Sequence, residues 1–197
     1  MNAAAEPTLS LQREWWLRTL AIFKSPRSVF AALRNDSREA EEARQEPVLA
    51  SVILAGIAGV LSTSIAGRLL DDPRVDGYSL AVWAFLGGAS YGFFVYWLGG
   101  LMVHALATGL GARTSYRQAR HLVGLAAAPL ALSLLLVWPV RIAIYGGDVF
   151  RTGGSDSGVG DKIFEGLVIA SYVCVLGLVA LGLLELRKRP SSSSGIS

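Results

Sequence analysis

Four stretches of this chain contain no Asp, Glu, Lys or Arg: residues 47–67, 77–112, 121–140 and 166–184. Each is close to or beyond the roughly twenty residues a helix needs to cross a ~30 Å hydrocarbon layer at ~1.5 Å per residue. A water-soluble domain sets charges on the outward face of its helices, and these segments have none to set there. The expected fold class is therefore all-α. It is a polytopic transmembrane helix bundle of four spans, or five if a long run doubles back, preceded by short amphipathic helices. With 197 residues in the chain, the spans and their loops leave room for one membrane domain and no folded soluble one.

Three regions follow from this division. Residues 1–46 are expected to form cytoplasmic or interfacial helices. Residues 47–187 form the membrane domain, with spans at about 48–68, 80–106, 120–142 and 163–186, and residues 188–197 form a disordered basic, Ser-rich tail. The second uncharged run is 36 residues long, about 54 Å as a helix. Two crossings would need more apolar residues than that plus a turn, so one tilted helix is expected, kinked at Gly87-Gly88 or Gly99-Gly100. Pro129 and Pro139 both fall in span three and are expected to bend it.

The loops supply an orientation. Arg27, Arg34, Arg38 and Arg44 precede span one, Arg113, Arg117 and Arg120 join spans two and three, and Arg187-Lys188-Arg189 follow span four. The other loops hold Asp71, Asp72 and Asp76 around Arg74, and Asp148, Asp156 and Asp161 around Arg151. Basic and acidic ends alternate, as expected for four crossings with both termini in the cytoplasm. Arg68 and Arg141 lie on the disfavoured side. Residues 15–23 are short and carry Arg18, so no cleavable signal peptide is expected and the spans must act as insertion signals.

Several function classes lose support. A net charge of +3, spread over several clusters, gives no nucleic-acid footprint. The single cysteine, Cys174, excludes an internal disulfide and a cysteine-based metal site. No HExxH, phosphate-cradling glycine loop or Ser-His-Asp set is present, and 146–161 lacks the pattern of a calcium loop. No catalytic residue, cofactor or metal ligand is assigned. His104 and His121, near one end of spans two and three, are read as interfacial histidines or as a facing, titrating pair. Lys162 with Glu165, and Glu185 with Arg189, have the spacing of intrahelical ion pairs, and Arg141 should snorkel outward or meet Asp148 or Asp161.

In lipid, helices associate by close approach between small residues. Span one offers Ser51, Ala55, Gly59, Thr63 and Gly67 at a spacing of four. Span two offers Ala84, Gly88, Gly92 and Gly100 with Tyr96 interrupting, and span three adds Gly124 and Ala128. These stripes suit packing within one chain or, on span one, a homo-oligomer interface. Ahead of the spans, Trp16, Leu20 and Phe23 share one helical face beside Arg13, Arg18 and Lys24, flanked by Trp15 and Ile22. Aromatics beside cations suit a helix in the headgroup layer. Ser25-Pro26 restarts a helix bearing Val29, Phe30 and Leu33, and Asp36 with Glu39 resembles a capping box for a charged helix over 37–46, which Pro47 separates from span one.

The order of these features resembles the Yip-domain family, membrane proteins named for eukaryotic members that interact with Ypt/Rab GTPases. The segment Phe23-Lys24-Ser25-Pro26-Arg27-Ser28-Val29-Phe30 looks like the family's Pro-x-x-x-Phe lead-in. Glu46-Pro47 opens the first span, and Gly111-Ala112-Arg113-Thr114-Ser115-Tyr116-Arg117-Gln118-Ala119 looks like its Gly then Ser-Tyr/Phe-Arg-Gln-Ala loop. Pro129 follows at a similar distance. The resemblance implies an all-helical bundle with a cytoplasmic N-terminus, no cofactor and no reaction. The chain lacks the Asp-Leu-Tyr-Gly-Pro element of eukaryotic members and shows four spans where five are common. Its Ala-, Gly- and Arg-rich composition fits a GC-rich bacterium, and the expected location is then the bacterial plasma membrane. The expected function is non-enzymatic organisation of membrane lipids, or of a membrane or cytoplasmic protein partner, with Phe23, Pro26, Phe30, Tyr116, Arg117 and Gln118 in the working surface. The alternative is a small oligomeric transporter or channel subunit, with Pro129, Pro139 and the histidines along a path.

Overall fold

The computed structural model describes residues 5–35, 37–112, 114–154 and 158–187, and among these there is no strand. Seven α-helices follow in order: α1 (Ala5–Ala21), α2 (Pro26–Ala32), α3 (Arg38–Leu61), α4 (Gly77–Gly109), α5 (Tyr116–Ala126), α6 (Ala128–Tyr145) and α7 (Val159–Arg187). Two 3-10 turns, Ala66–Asp71 and Gly146–Phe150, follow α3 and α6. Four continuous helical stretches are long and apolar enough to cross a membrane: α3, α4, α5 with α6 as far as Phe150, and α7. The described chain therefore starts and finishes at one end of the bundle, the end rich in arginine, and the Asp-bearing loops lie at the other.

The charged stretch before Pro47 is not a separate helix. It continues through Pro47 into span one as α3, opened by the Ser37 hydroxyl, which accepts from the Ala40 N–H. Residues 38–46 are strong helix formers, and an internal proline removes only one backbone bond. Asp36, the expected capping partner, lies outside the described residues. At its other end α3 stops at Leu61, before the uncharged run is exhausted. The Ser62 and Thr63 hydroxyls donate back to the Ala58 and Val60 carbonyls at 2.7 Å each, satisfying helix-end acceptors.

The 36-residue run is a single helix, α4, about 50 Å long at ~1.5 Å per residue. Its buried positions (Leu80, Ala84, Gly88, Gly92, Tyr96, Gly100) recur every four residues. Such a stripe winds around a helix of 3.6 residues per turn by about 40° per step, so it faces three neighbours in succession. Leu80 meets Trp138 and Phe150, Gly88 and Gly92 meet α3, and Gly100 meets Arg120 of α5.

The α3–α4 crossing is the tightest contact in the bundle. A Cβ on Gly56 would collide with the Gly88 carbonyl and lie 2.7 Å from Gly92 Cα. One on Gly88 would stand 2.5 Å from Ile57 Cα. Ser51, Ala55, Gly56 and Gly59 are all buried, so the small-residue face of span one is used up inside the monomer. Thr63 and Gly67 lie beyond the helix, and nothing lies within 4 Å of a Cβ at Gly67.

Span three is interrupted near the first of its two prolines. It divides at Ala127, and Pro129 occupies the first turn of α6, where its missing N–H costs nothing, while Pro139 sits inside α6 without ending it. The last helix, α7, is enclosed only near its ends, while Val175, Leu178 and Val179 pack half-buried against the core between them. Phe164 and Val168 are buried near one end and Gly182, Glu185 and Leu186 near the other, with no buried residue between them.

Candidate functional site

At the basic end, α1 and the turn that follows it, residues 22–24, have two unlike apolar faces. Trp15 and Ile22 point inward with 2% and 1% exposure, in one core with Val29, Phe30, Leu33, Leu122, Leu125 and Leu186. Trp16, Leu17, Leu20 and Phe23 point outward, Leu20 with 66% exposure and Phe23 with 51%. Arg13 and Lys24 are exposed beside them. Trp15 covers Arg44 of α3, a fully enclosed cation whose guanidinium lies 5.9 Å from the ring centroid and donates to the Asn35 carbonyl at 2.9 Å. Carrying a charge in the core is tolerated where aromatic faces and carbonyls replace water. Arg34 approaches the buried Glu185 of α7 at 3.9 Å, across the bundle. The expected intrahelical partner of Glu185, Arg189, lies outside the described residues.

The conspicuous loop residues act locally. Ser115 accepts from the Gln118 N–H, and the Gln118 side chain accepts from the Ser115 N–H, a reciprocal cap for α5. The Tyr116 hydroxyl donates to the Trp97 carbonyl of α4 at 3.0 Å, and Arg117 pairs with Glu41 of α3. Arg120 lies 5.3, 4.8 and 5.6 Å from the rings of Tyr96, Trp97 and Tyr116. The two histidines do not face each other: His121 meets Tyr96 edge-on and His104 meets Tyr116.

Of the six residues expected to make a partner surface, Phe23 is exposed, Pro26 half-buried and Arg117 exposed. Phe30 is fully enclosed and touches no solvent, so it belongs to the core. Tyr116 and Gln118 are half-buried and engaged as described. Their backbone bonds could not be inferred from a loop motif, whereas the Ser-x-x-Gln spacing of Ser115 and Gln118 was a usable cap signal.

The acidic end is tied by side chains from different loops. The Asp71 carboxylate accepts from the Thr152 hydroxyl at 2.5 Å and from the Thr152 N–H at 3.0 Å, joining the two 3-10 turns. The expected Lys162–Glu165 pair is not formed. Asp161 instead accepts from Arg141 of α6 at 2.5 Å, one of the two partners expected for that arginine. Both ends of this pair are mostly buried, so Asp161→Asn is expected to destabilise the protein by about 1.5–3 kcal/mol, read as a lower melting temperature in detergent. Trp138 stacks on Phe150 and Tyr145 meets Phe164 edge-on, closing the same end.

The Thr152 hydrogen bonds, hydroxyl first, hold the Asp71 carboxyl below its usual 3.8. A carboxylate whose folded pKa is depressed stabilises the fold above the unfolded value and loses that contribution as pH falls through the folded one. The loop–loop tie is therefore expected to persist at pH 5 and to loosen below about 3.8. In Asp71→Asn that acid step should vanish, which hydrogen exchange at the Thr152 amide against pH would read.

Between the acidic end and the middle of α7 lies a cavity of about 680 Å3, lined by Arg68, Arg141, Arg151, Asp161 and Glu165 among others. A second space of about 170 Å3 shares Gly59, Tyr91 and Tyr172 with it and continues inward between valines and Leu130. Among the described residues no three His, Cys, Asp or Glu side chains are close enough to hold a metal ion.

Comparison with curated proteins and with solved structures found no match. The family model described as the Yip1 domain matches residues 20–196, from the last turn of α1 through α7 and on into the tail. Together with the four apolar helices, this makes the protein a multi-pass integral membrane protein. The chain belongs to the Yip1 domain family.

Proposed function

We propose that this is a non-enzymatic membrane-organising protein that works through its basic end, with both termini in the cytoplasm and α1 seated on the lipid headgroups of that leaflet. One observation carries this reading: α1 with the turn after it spends Trp15 and Ile22 on the core and still presents Trp16, Leu20 and Phe23 outward beside Arg13 and Lys24. An exposed aromatic and aliphatic stripe flanked by cations is what an interfacial helix needs to sit on anionic lipid. Arg117 and Arg120, in the first turns of α5, add positive charge at the same end. Phe23, Pro26 and Arg117 form the accessible surface, and Phe30, Tyr116 and Gln118 hold it in shape. A solute path through the bundle has less support, because the inner space is apolar and the α3–α4 contact is closed by backbone.

The test places an environment-sensitive dye at Phe23→Cys in a Cys174→Ser background, reconstituted in vesicles with and without anionic lipid. Blue-shifted emission and quenching by shallow lipid-borne quenchers, stronger with anionic lipid, is the expected result. A dye reached fully by aqueous iodide in both vesicle types would contradict the proposal. So would a lipid-independent signal that shifts only when a soluble protein binds.

A further inference from the structure

We infer that the cleft between α4 and α7 is a binding site for one membrane phospholipid, its phosphate at the acidic end of the bundle and one acyl chain in the apolar space behind. The site has two adjoining parts of opposite chemistry, which share Gly59, Tyr91 and Tyr172 in their linings. At the mouth, Arg68 and Arg151 are exposed; Arg68 is on the 3-10 turn that ends at Asp71 and Arg151 precedes Thr152, so the Asp71–Thr152 tie holds both loops in place. Arg141 completes the cationic lining but is engaged with Asp161, and Glu165 is the second carboxylate of the lining. A phosphate diester placed between Arg68 and Arg151 makes charge-assisted hydrogen bonds, and Glu165 accepts a headgroup amine or hydroxyl.

Behind the mouth, Tyr91 and Tyr172 flank Gly59, where a Cβ would lie 3.0 Å from the Tyr91 ring and 3.6 Å from the Tyr172 hydroxyl. Past that throat the lining is almost wholly apolar. Water gains nothing from such a space, and a hydrocarbon chain does.

Access needs no opening motion through the protein. Tyr91 and Val95 of α4 and Tyr172 of α7 line the inner space and are 47%, 40% and 38% exposed, so the cleft faces the lipid sideways between α4 and α7. The mouth volume, about 680 Å3, falls within the about 300–1,000 Å3 typical of small-molecule sites. An ion or sugar would leave the apolar rear empty, and a sterol-like apolar ligand would leave the arginines without a partner. An amphiphile bearing a phosphate satisfies both parts.

The experiment is native mass spectrometry and thermal melting of delipidated protein titrated with dipalmitoyl phosphatidylethanolamine, with dipalmitoylglycerol and glycerol phosphate as separate arms. The expected result is one saturable lipid that raises the melting temperature, with at least tenfold weaker binding for either partial ligand. Arg68→Gln with Arg151→Gln should weaken phospholipid binding tenfold or more and abolish its preference over dipalmitoylglycerol. Val95→Trp, at an exposed position of the inner lining, should block chain entry. The mouth substitutions are exposed, so the ligand-free melting temperature should stay near that of the wild type and separates loss of binding from loss of fold. Equal binding of phospholipid and dipalmitoylglycerol would overturn the assignment. So would unsaturable lipid adducts insensitive to both variants, or binding of glycerol phosphate alone with the full affinity.

Discussion

Gly56→Leu is expected to yield no stably folded protein, and Gly56→Ala to melt well below the wild type. The reason is the missing room at the α3–α4 crossing, where a Cβ at Gly56 meets the Gly88 carbonyl and Gly92 Cα. Neither atom can rotate away, since both belong to helix backbone. Overpacking of this kind costs typically about 1–3 kcal/mol and more when backbone must move. In a membrane the loss extends to the close packing that holds the two helices together. Gly177→Ala supplies the control, because a Cβ there has nothing within 4 Å. Alanine is the better helix former by about 1 kcal/mol at both positions, so the two variants should shift the melting temperature in opposite directions. A Gly56→Ala protein as stable as the wild type in detergent would show that the crossing is looser than described.

The neighbouring tryptophans Trp15 and Trp16 should differ as sharply. Trp15→Ala removes a nearly enclosed ring from the core and uncovers the buried cation of Arg44. Loss of a large buried aromatic costs about 3–5 kcal/mol. That cost should fall on the docking of α1, seen as rapid protease cleavage ahead of α2 while the spans stay intact. Trp16 is already 40% exposed, so Trp16→Ala should change stability by no more than about 0.5 kcal/mol. Under the proposed function it should still weaken attachment to anionic vesicles. Equal protease sensitivity of the two variants would mean that α1 does not distinguish its faces.

The spans were legible in the chain because lipid penalises charge along a whole segment, and a segment-long signal survives local noise. The position of α4 as one helix followed from the same arithmetic. Which residues face each other was only partly legible. The span-one stripe at Ser51, Ala55, Gly59, Thr63 and Gly67 assumes a spacing of four, which drifts about 40° per step around a helix of 3.6 residues per turn. Thr63 and Gly67 miss the interface because α3 has already ended at Leu61, and the glycine at the closest approach is Gly56, one residue off the stripe.

Charge pairing was harder to read because ion partners come from other helices. Lys162 and Glu165 have helical spacing, yet Asp161 is the residue that reaches Arg141, twenty positions away in sequence. Arg44 was read only as an orienting charge. Its enclosure depends on α1 folding back over α3, and no pattern within 38–46 announces that. The same fold-back decides between Trp15 and Trp16, which hydrophobicity alone cannot separate.

The most direct test of this account is cysteine accessibility in intact cells, in a Cys174→Ser background, with a membrane-impermeant maleimide. Lys24→Cys and Arg187→Cys should react only after permeabilisation, whereas Arg74→Cys and Gly153→Cys should react from outside. Labelling of position 24 and position 187 on opposite faces would contradict a four-span bundle, and labelling of both from outside would reverse the face on which the basic end is proposed to work.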